Sequence, residues 1–168
     1  MKSVLISIKP KWCLKIASGE KTIEVRKTMP KLERPFKCYI YETKRKQVEP
    51  CFGCDITYCG RGKVIGEFIC RGIMQPFSSL RRMAKESCLT EEELLTYSNC
   101  KSLYGWRIAD LKIYDKPKEL REFCIPCKTS CENCKKPFFY GCWEEKGKII
   151  NVTRPPQSWC YVEEIMED

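Results

Sequence analysis

The chain has 168 residues, 43% of them hydrophobic, which is enough for one domain with a real core and cramped for two. Its 31 lysines and arginines against 22 acidic residues leave a net charge of +9, a balance that favours polyanions through counterion release and equally serves solubility. Fourteen cysteines stand beside no histidine, which excludes Ser-His, Cys-His and histidine-metal catalysis and leaves Lys, Glu, Asp, Tyr and Cys as acids, bases or nucleophiles.

No apolar run approaches a membrane span, and the start Met1-Lys2-Ser3-Val4 leads into an alternating pattern, not a secretory segment. A soluble, cytoplasmic protein is expected. Cysteines in that compartment point to metal thiolates or reduced, buried thiols more than to disulfides.

Residues 3–8 alternate and predict a strand. Pro10 suits a first helical turn, Trp12, Cys13, Ile16 and Ala17 form one apolar face, and Gly19 supplies a C-terminal stop. The next strand, 21–27, carries the sharpest signal of the chain. In Gly19-Glu20-Lys21-Thr22-Ile23-Glu24-Val25-Arg26, alternation sends Thr22, Glu24 and Arg26 to one face and Ile23 and Val25 to the other. One face can build a core while the opposite one presents an acid and a guanidinium together, with Lys21 at the turn leaning over the same edge.

Residues 29–35 read as a loop and 36–42, rich in aromatics, as a strand. Residues 44–62 lose periodicity and gain Pro, Gly and cysteines, so they are expected to be an inserted loop. A strand resumes over 63–74, with Gly66 and Gly72 as expected bulges. Residues 76–97 turn helical: Ser78 or Ser79 can cap a helix through Lys85, and Thr90-Glu91-Glu92-Glu93 is a capping box. Residues 103–114 predict a strand and 117–123 a helical turn or two. No hydrophobic period runs through 124–147, and 149–152 and 159–163 are short strand candidates.

The pattern G-x-K-x-x-E-x-R over Gly19–Arg26 resembles the signature of the ASCH-domain family, small barrels in the PUA-like group of RNA-associated folds. Val4-Leu5-Ile6-Ser7-Ile8-Lys9-Pro10 is similar to that family's first strand, and Gly62-Lys63-Val64-Ile65-Gly66-Glu67-Phe68 to one of its barrel strands. The segments Ile113-Tyr114-Asp115-Lys116-Pro117-Lys118-Glu119-Leu120 and Pro155-Pro156-Gln157-Ser158-Trp159-Cys160-Tyr161 resemble phage- and prophage-type members. The resemblance leaves residues 45–61 and 124–150 unexplained. It implies a single α+β domain over 1–168, a small mixed or antiparallel β-barrel with peripheral helices, and the unexplained, cysteine-bearing segments at about 45–61 and 124–147 are expected to be insertions in it.

It also implies a cleft, lined by Lys21, Thr22, Glu24 and Arg26, that binds RNA or a nucleotide. One branch of the family removes acetyl groups from the exocyclic amine of cytidine with the motif lysine, a threonine and a glutamate. Lys21 matches the lysine, Glu24 stands where the threonine would be, and the glutamate falls loosely near Glu86 or Ser87. An amidohydrolase using Lys21 and Glu24 is therefore the alternative to a binding protein, and a phage-encoded interaction module is a third reading. The plain structural reading of Lys21, Glu24 and Arg26 is an ion-pair network that pins the turn to the barrel. Trp159, with Tyr161, can offer a base a stacking surface or serve as core, and Arg154 can meet phosphate or flank a rigid turn.

Cys124-Ile125-Pro126-Cys127 and Cys131-Glu132-Asn133-Cys134 have the spacing at which paired thiolates chelate zinc, which makes a structural Zn site the expectation. Cys51-Phe52-Gly53-Cys54, Cys59 and Cys142 are alternate ligands. The alternatives are reduced cysteines with no metal, or an iron–sulfur cluster. Cys13, Cys38, Cys70 and Cys88 fall within predicted elements and read as small buried hydrophobes.

Overall fold

The computed structural model describes residues 2–51, 54–75, 79–125, 143–144, 148–149 and 151–164. In chain order these form β1 (Ser3–Ile8), α1 (Pro10–Ala17), β2 (Ile23–Arg26), β3 (Phe36–Glu42), β4 (Lys46–Cys51), β5 (Cys54–Cys59), β6 (Val64–Met74), α2 (Leu80–Ser87), α3 (Glu91–Ser98) and β7 (Tyr104–Lys118). A 3₁₀ turn (Leu120–Glu122), β8 (Phe123–Cys124), β9 (Trp143–Glu144), β10 (Lys148–Ile149) and β11 (Trp159–Glu164) complete them.

Seven strands form one sheet in the order β2-β7-β6-β3-β1-β11-β8, with β1 and β3 parallel and the other pairs antiparallel. The fold is α+β, as expected, but the sheet does not close into a barrel. Its end strands are short: β2 has four residues, and the chain just before it donates from Thr22 N to Glu86 O, so α2 takes up a backbone group there. At the other end β8 has two residues.

β1 lies inside the sheet between β3 and β11, with apolar clusters on both of its faces, and is buried at every position. Val4, Ile6 and Ile8 pack with Cys38, Ile40, Phe68, Trp106 and the apolar face of α1, Cys13 and Ile16. Leu5 points the other way, to Tyr39, Tyr41, Val64, Phe123 and Val162. Ile23 and Val25 of β2 join Met74, Met83, Leu94 and Leu103, which seat α2 and α3.

The expected stop of α1 and both helix caps are present. Gly19 has φ +78° and donates to Ile16 O, Ser79 accepts from Arg82 N, and Thr90 and Glu93 form a reciprocal capping box. Register shifts mark β6 near Gly66 and Gly72. Residues 45–61 depart from expectation: β4 and β5 pair as an antiparallel ribbon from Lys46↔Cys59 to Cys51↔Cys54. Nearly every residue of β5 is exposed, so the ribbon has no buried face to impose an alternating pattern.

Candidate functional site

Backbone hydrogen bonds pin the start of the motif strand to three neighbours. Lys21 N donates to Lys15 O of α1, Thr22 N to Glu86 O of α2, and Ile108 N of β7 to Thr22 O. The strand then pairs with β7, Glu24 opposite Trp106 and Arg26 opposite Tyr104. Ile23 and Val25 enter the core under α2 and α3, so alternation turns Glu24 and Arg26 to the other face.

There the charges are buried and linked. Lys21, Glu24 and Arg26 are 3%, 7% and 9% exposed. Lys21 Nζ lies 3.2 Å from Glu24 Oε2, and Arg26 Nη2 lies 3.0 Å from Glu24 Oε1. Arg26 Nη2 also donates to Ser7 O at 2.6 Å, and Lys21 Nζ to Ser87 O at 2.9 Å. Ser87 ends α2, so the ammonium also meets the electronegative end of a helix. The Trp12 ring centroid is 5.4 Å from Lys21 Nζ, a cation–π approach.

Lys21 and Glu24 line a cavity of about 250 Å³, with Ile8, Trp12, Leu89 and Tyr97 among its walls. That volume is just below the roughly 300–1,000 Å³ of drug-sized sites. The Lys21–Glu24 contact lacks hydrogen-bond geometry, so Glu24 Oε2 is buried without a hydrogen-bond partner among the described residues, as is Arg26 Nε. Native structures satisfy most buried polar atoms, and an orphaned acceptor is costly. The site thus presents an ammonium, its partner carboxylate with one oxygen lacking a hydrogen bond, and two aromatic rings. Close by, Cys13 is inert: burial, with the charges of Glu42 and Glu24 behind it, pushes its thiol well above the ordinary range.

The structure brings Lys21, Glu24 and Arg26 together but not the other expected ligand contacts. Thr22 is exposed, with Oγ1 donating to Glu86 O at 3.3 Å, and does not line the cavity. Trp159 does not line it either. Its ring packs edge-on against Trp106 and Tyr161, with centroids at 5.8 and 5.4 Å, and its Nε1 donates to Thr28 Oγ1. Tyr161 accepts from Lys31 N, so this pair fastens the segment after β2 to β11. Trp12 and Tyr97 escaped the sequence reading because Trp12 fits the apolar face of α1 and Tyr97 lies in the last turn of α3. Only the packing of α1 and α3 around β2 makes them neighbours.

Of the expected zinc ligands, Cys124 is buried and its thiol donates to Glu163 O at 3.5 Å. Cys127, Cys131, Cys134 and Cys142 lie outside the described residues. Cys54 and Cys59 are exposed on β5, and Cys51 ends β4 in register with Cys54. Among the described residues no three metal-ligating side chains converge. Cys13, Cys38 and Cys70 are buried as expected, whereas Cys88 is half-buried at the left-handed cap of α2.

Among the described residues no helix is long and apolar enough to cross a membrane. No curated protein matches the chain. Among solved structures, the chain is similar to an ASCH protein of Zymomonas mobilis: TM-score 0.56 at 18% identity, covering 95% of this chain and 86% of that one. A tyrosine-to-phenylalanine mutant of that protein gives TM-score 0.57, also at 18% identity, over 96% of this chain and 90% of that one. At this identity the likeness speaks for the fold. The profile of the ASCH domain matches residues 6–135, and the chain belongs to that family.

Proposed function

We propose that the protein is an RNA- or nucleotide-binding ASCH protein whose cleft takes a nucleobase between Trp12 and Tyr97, with Lys21 and Glu24 as its polar contacts. Family membership supports an RNA-associated, PUA-like role. The observation that carries the reading is Glu24 Oε2, an acceptor buried in the cavity wall without a hydrogen-bond partner, which a ligand N–H would satisfy. Arg26 is the positioning residue, holding Oε1 from behind. Trp159 and Thr22 have no part in this cleft. Glu24 stands where the deacetylating branch carries threonine, so binding is the reading adopted. Resemblance to phage-type members rests on two short segments of sequence alone.

The test is titration of the full chain with the four ribonucleoside monophosphates and with ribose 5-phosphate, read by amide shifts at residues 21–26. At least one nucleotide should bind, ribose 5-phosphate should not, and Trp12→Ala should weaken the nucleotide by about tenfold or more. If no nucleotide binds, or the bare sugar phosphate binds equally well, the reading fails.

For the cysteines we propose a structural Zn held by Cys124, Cys127, Cys131 and Cys134, with Cys51, Cys54, Cys59 and Cys142 as alternates. The paired C-x-x-C spacing supports it. Elemental analysis of protein purified without added zinc should give about one equivalent, and less than about half an equivalent argues against the site.

A further inference from the structure

A second concavity of about 550 Å³ lies on the sheet face opposite the motif cleft. Register places it: Tyr39 pairs with Glu67 and Glu67 with Lys112, so these three share one face with Lys37. The opposite face carries Cys38, Phe68 and α1, on which Trp12 and the motif cleft sit.

The backbone here is shaped by a bulge. Between Gly66 and Val64 one residue intervenes, while four intervene between their partners Ile113 and Lys118. Lys116 falls among the extra residues of β7 and lines the concavity together with Lys112; re-aiming a side chain is what bulges do. Gly66 permits it, because a Cβ there would meet Lys112 O at 2.5 Å.

The lining holds four lysines, Lys37, Lys112, Lys116 and Lys118, against Glu67 and Asp115. Glu67 is already engaged: Tyr114 donates to its Oε2 at 2.5 Å and Lys37 lies 3.2 Å from its Oε1. Burial alone would raise the Glu67 pKa, but the hydrogen bonds from Tyr114 and Lys37, with the charges of Lys37 and Lys112 beside it, outweigh burial and hold the carboxyl below its ordinary range. That leaves Lys112 and Lys116, both exposed and without a hydrogen bond or ion pair among the described residues. Two exposed ammonium groups without a hydrogen bond or ion pair among the described residues, Lys112 with only the field of Glu67 across from it, over a floor held by Tyr114 are suited to an anion with several oxygens.

We propose that this groove is a phosphate-binding site, with Lys112 and Lys116 as the contacting cations and the Lys37–Glu67–Tyr114 unit as its floor. The shared chemistry is phosphate, supplied by the phosphodiester backbone of RNA or by a free polyphosphate. The groove is separate from the motif cleft, so it stands or falls apart from the nucleotide reading.

The test uses the ¹⁵N-labelled full chain, titrated with inorganic tripolyphosphate and with a 12-nucleotide RNA, in wild type and in Lys112→Gln/Lys116→Gln. Both lysines are exposed, and an unchanged Tm verifies that the variant folds. At least one probe should shift the amides of residues 112–118 and bind the variant about tenfold more weakly. If RNA is the ligand, the slope of log affinity against log salt should fall by roughly 0.7 for each lysine removed. Tripolyphosphate binding without RNA binding supports the groove, assigns it to free polyphosphate and counts against RNA as ligand. If neither probe shifts these amides, or the variant binds as wild type does, the groove proposal is overturned whether or not mononucleotides occupy the motif cleft.

Discussion

Glu24, buried, and Glu67, half-buried, are both carboxylates flanked by a lysine, yet they are used differently. Glu67 has its oxygens engaged by Tyr114 and Lys37, whereas Glu24 leaves Oε2 without a hydrogen bond. The difference sets a pH dependence for Glu67. Its folded pKa lies below the ordinary 4.5, so its stabilising contribution is complete above that value and is lost as pH falls through the folded pKa. Glu67→Gln keeps an acceptor for Tyr114 but removes the titration. We expect wild-type stability to drop more steeply below pH 4.5 than that of the variant, measured by urea unfolding across pH 3–6. Parallel curves would remove Glu67 as the source. The grouping of Lys21, Glu24 and Arg26 was legible from strand alternation. Their burial was not, because it depends on Lys21 reaching the end of α2, 66 residues away along the chain.

Among the elements, the helices were the most legible because their ends are written in local chemistry. Thr90 Oγ1 accepts from Glu93 N at 3.0 Å and Glu93 Oε2 from Thr90 N at 2.7 Å, and the same α3 lends Glu93 and Tyr97 to the cavity wall. Thr90→Ala should therefore lower stability by about 1 kcal/mol. Urea unfolding that differs from wild type by less than about 0.3 kcal/mol would show the cap to be idle. The β4–β5 ribbon was illegible for the converse reason. Exposed on nearly all of β5 and containing Pro50 in β4, it presents neither an alternating apolar face nor a turn pattern beyond Phe52-Gly53. The strand β7 runs past its expected end at residue 114 to Lys118, because the bulge opposite Gly66 lets the chain re-enter register at Val64.

For the molecule as a whole, the net charge of +9 sets how the proposed RNA ligand should respond to salt. A polyanion binder loses affinity steeply as salt rises, because bound counterions are released on association. We expect the affinity for a short single-stranded RNA to fall at least about tenfold between 50 and 200 mM salt. A flat response would leave the charge to solubility alone.

Sequence alone determined what is local: the alternation that aligns Lys21, Glu24 and Arg26, the caps of α2 and α3, and the family signature, since each depends on residues within a few positions of one another. Tertiary structure decided what is distant. The open sheet replaced the expected barrel because closure depends on whether the end strands pair, and β2 and β8 do not. Trp12, Tyr97 and Leu89 became walls of one cavity only when α1 and the α2–α3 segment packed around β2. Trp159 went to the core contacts of Trp106 for the same reason: a side chain's neighbours across the sheet are set by strand order, which local periodicity does not encode.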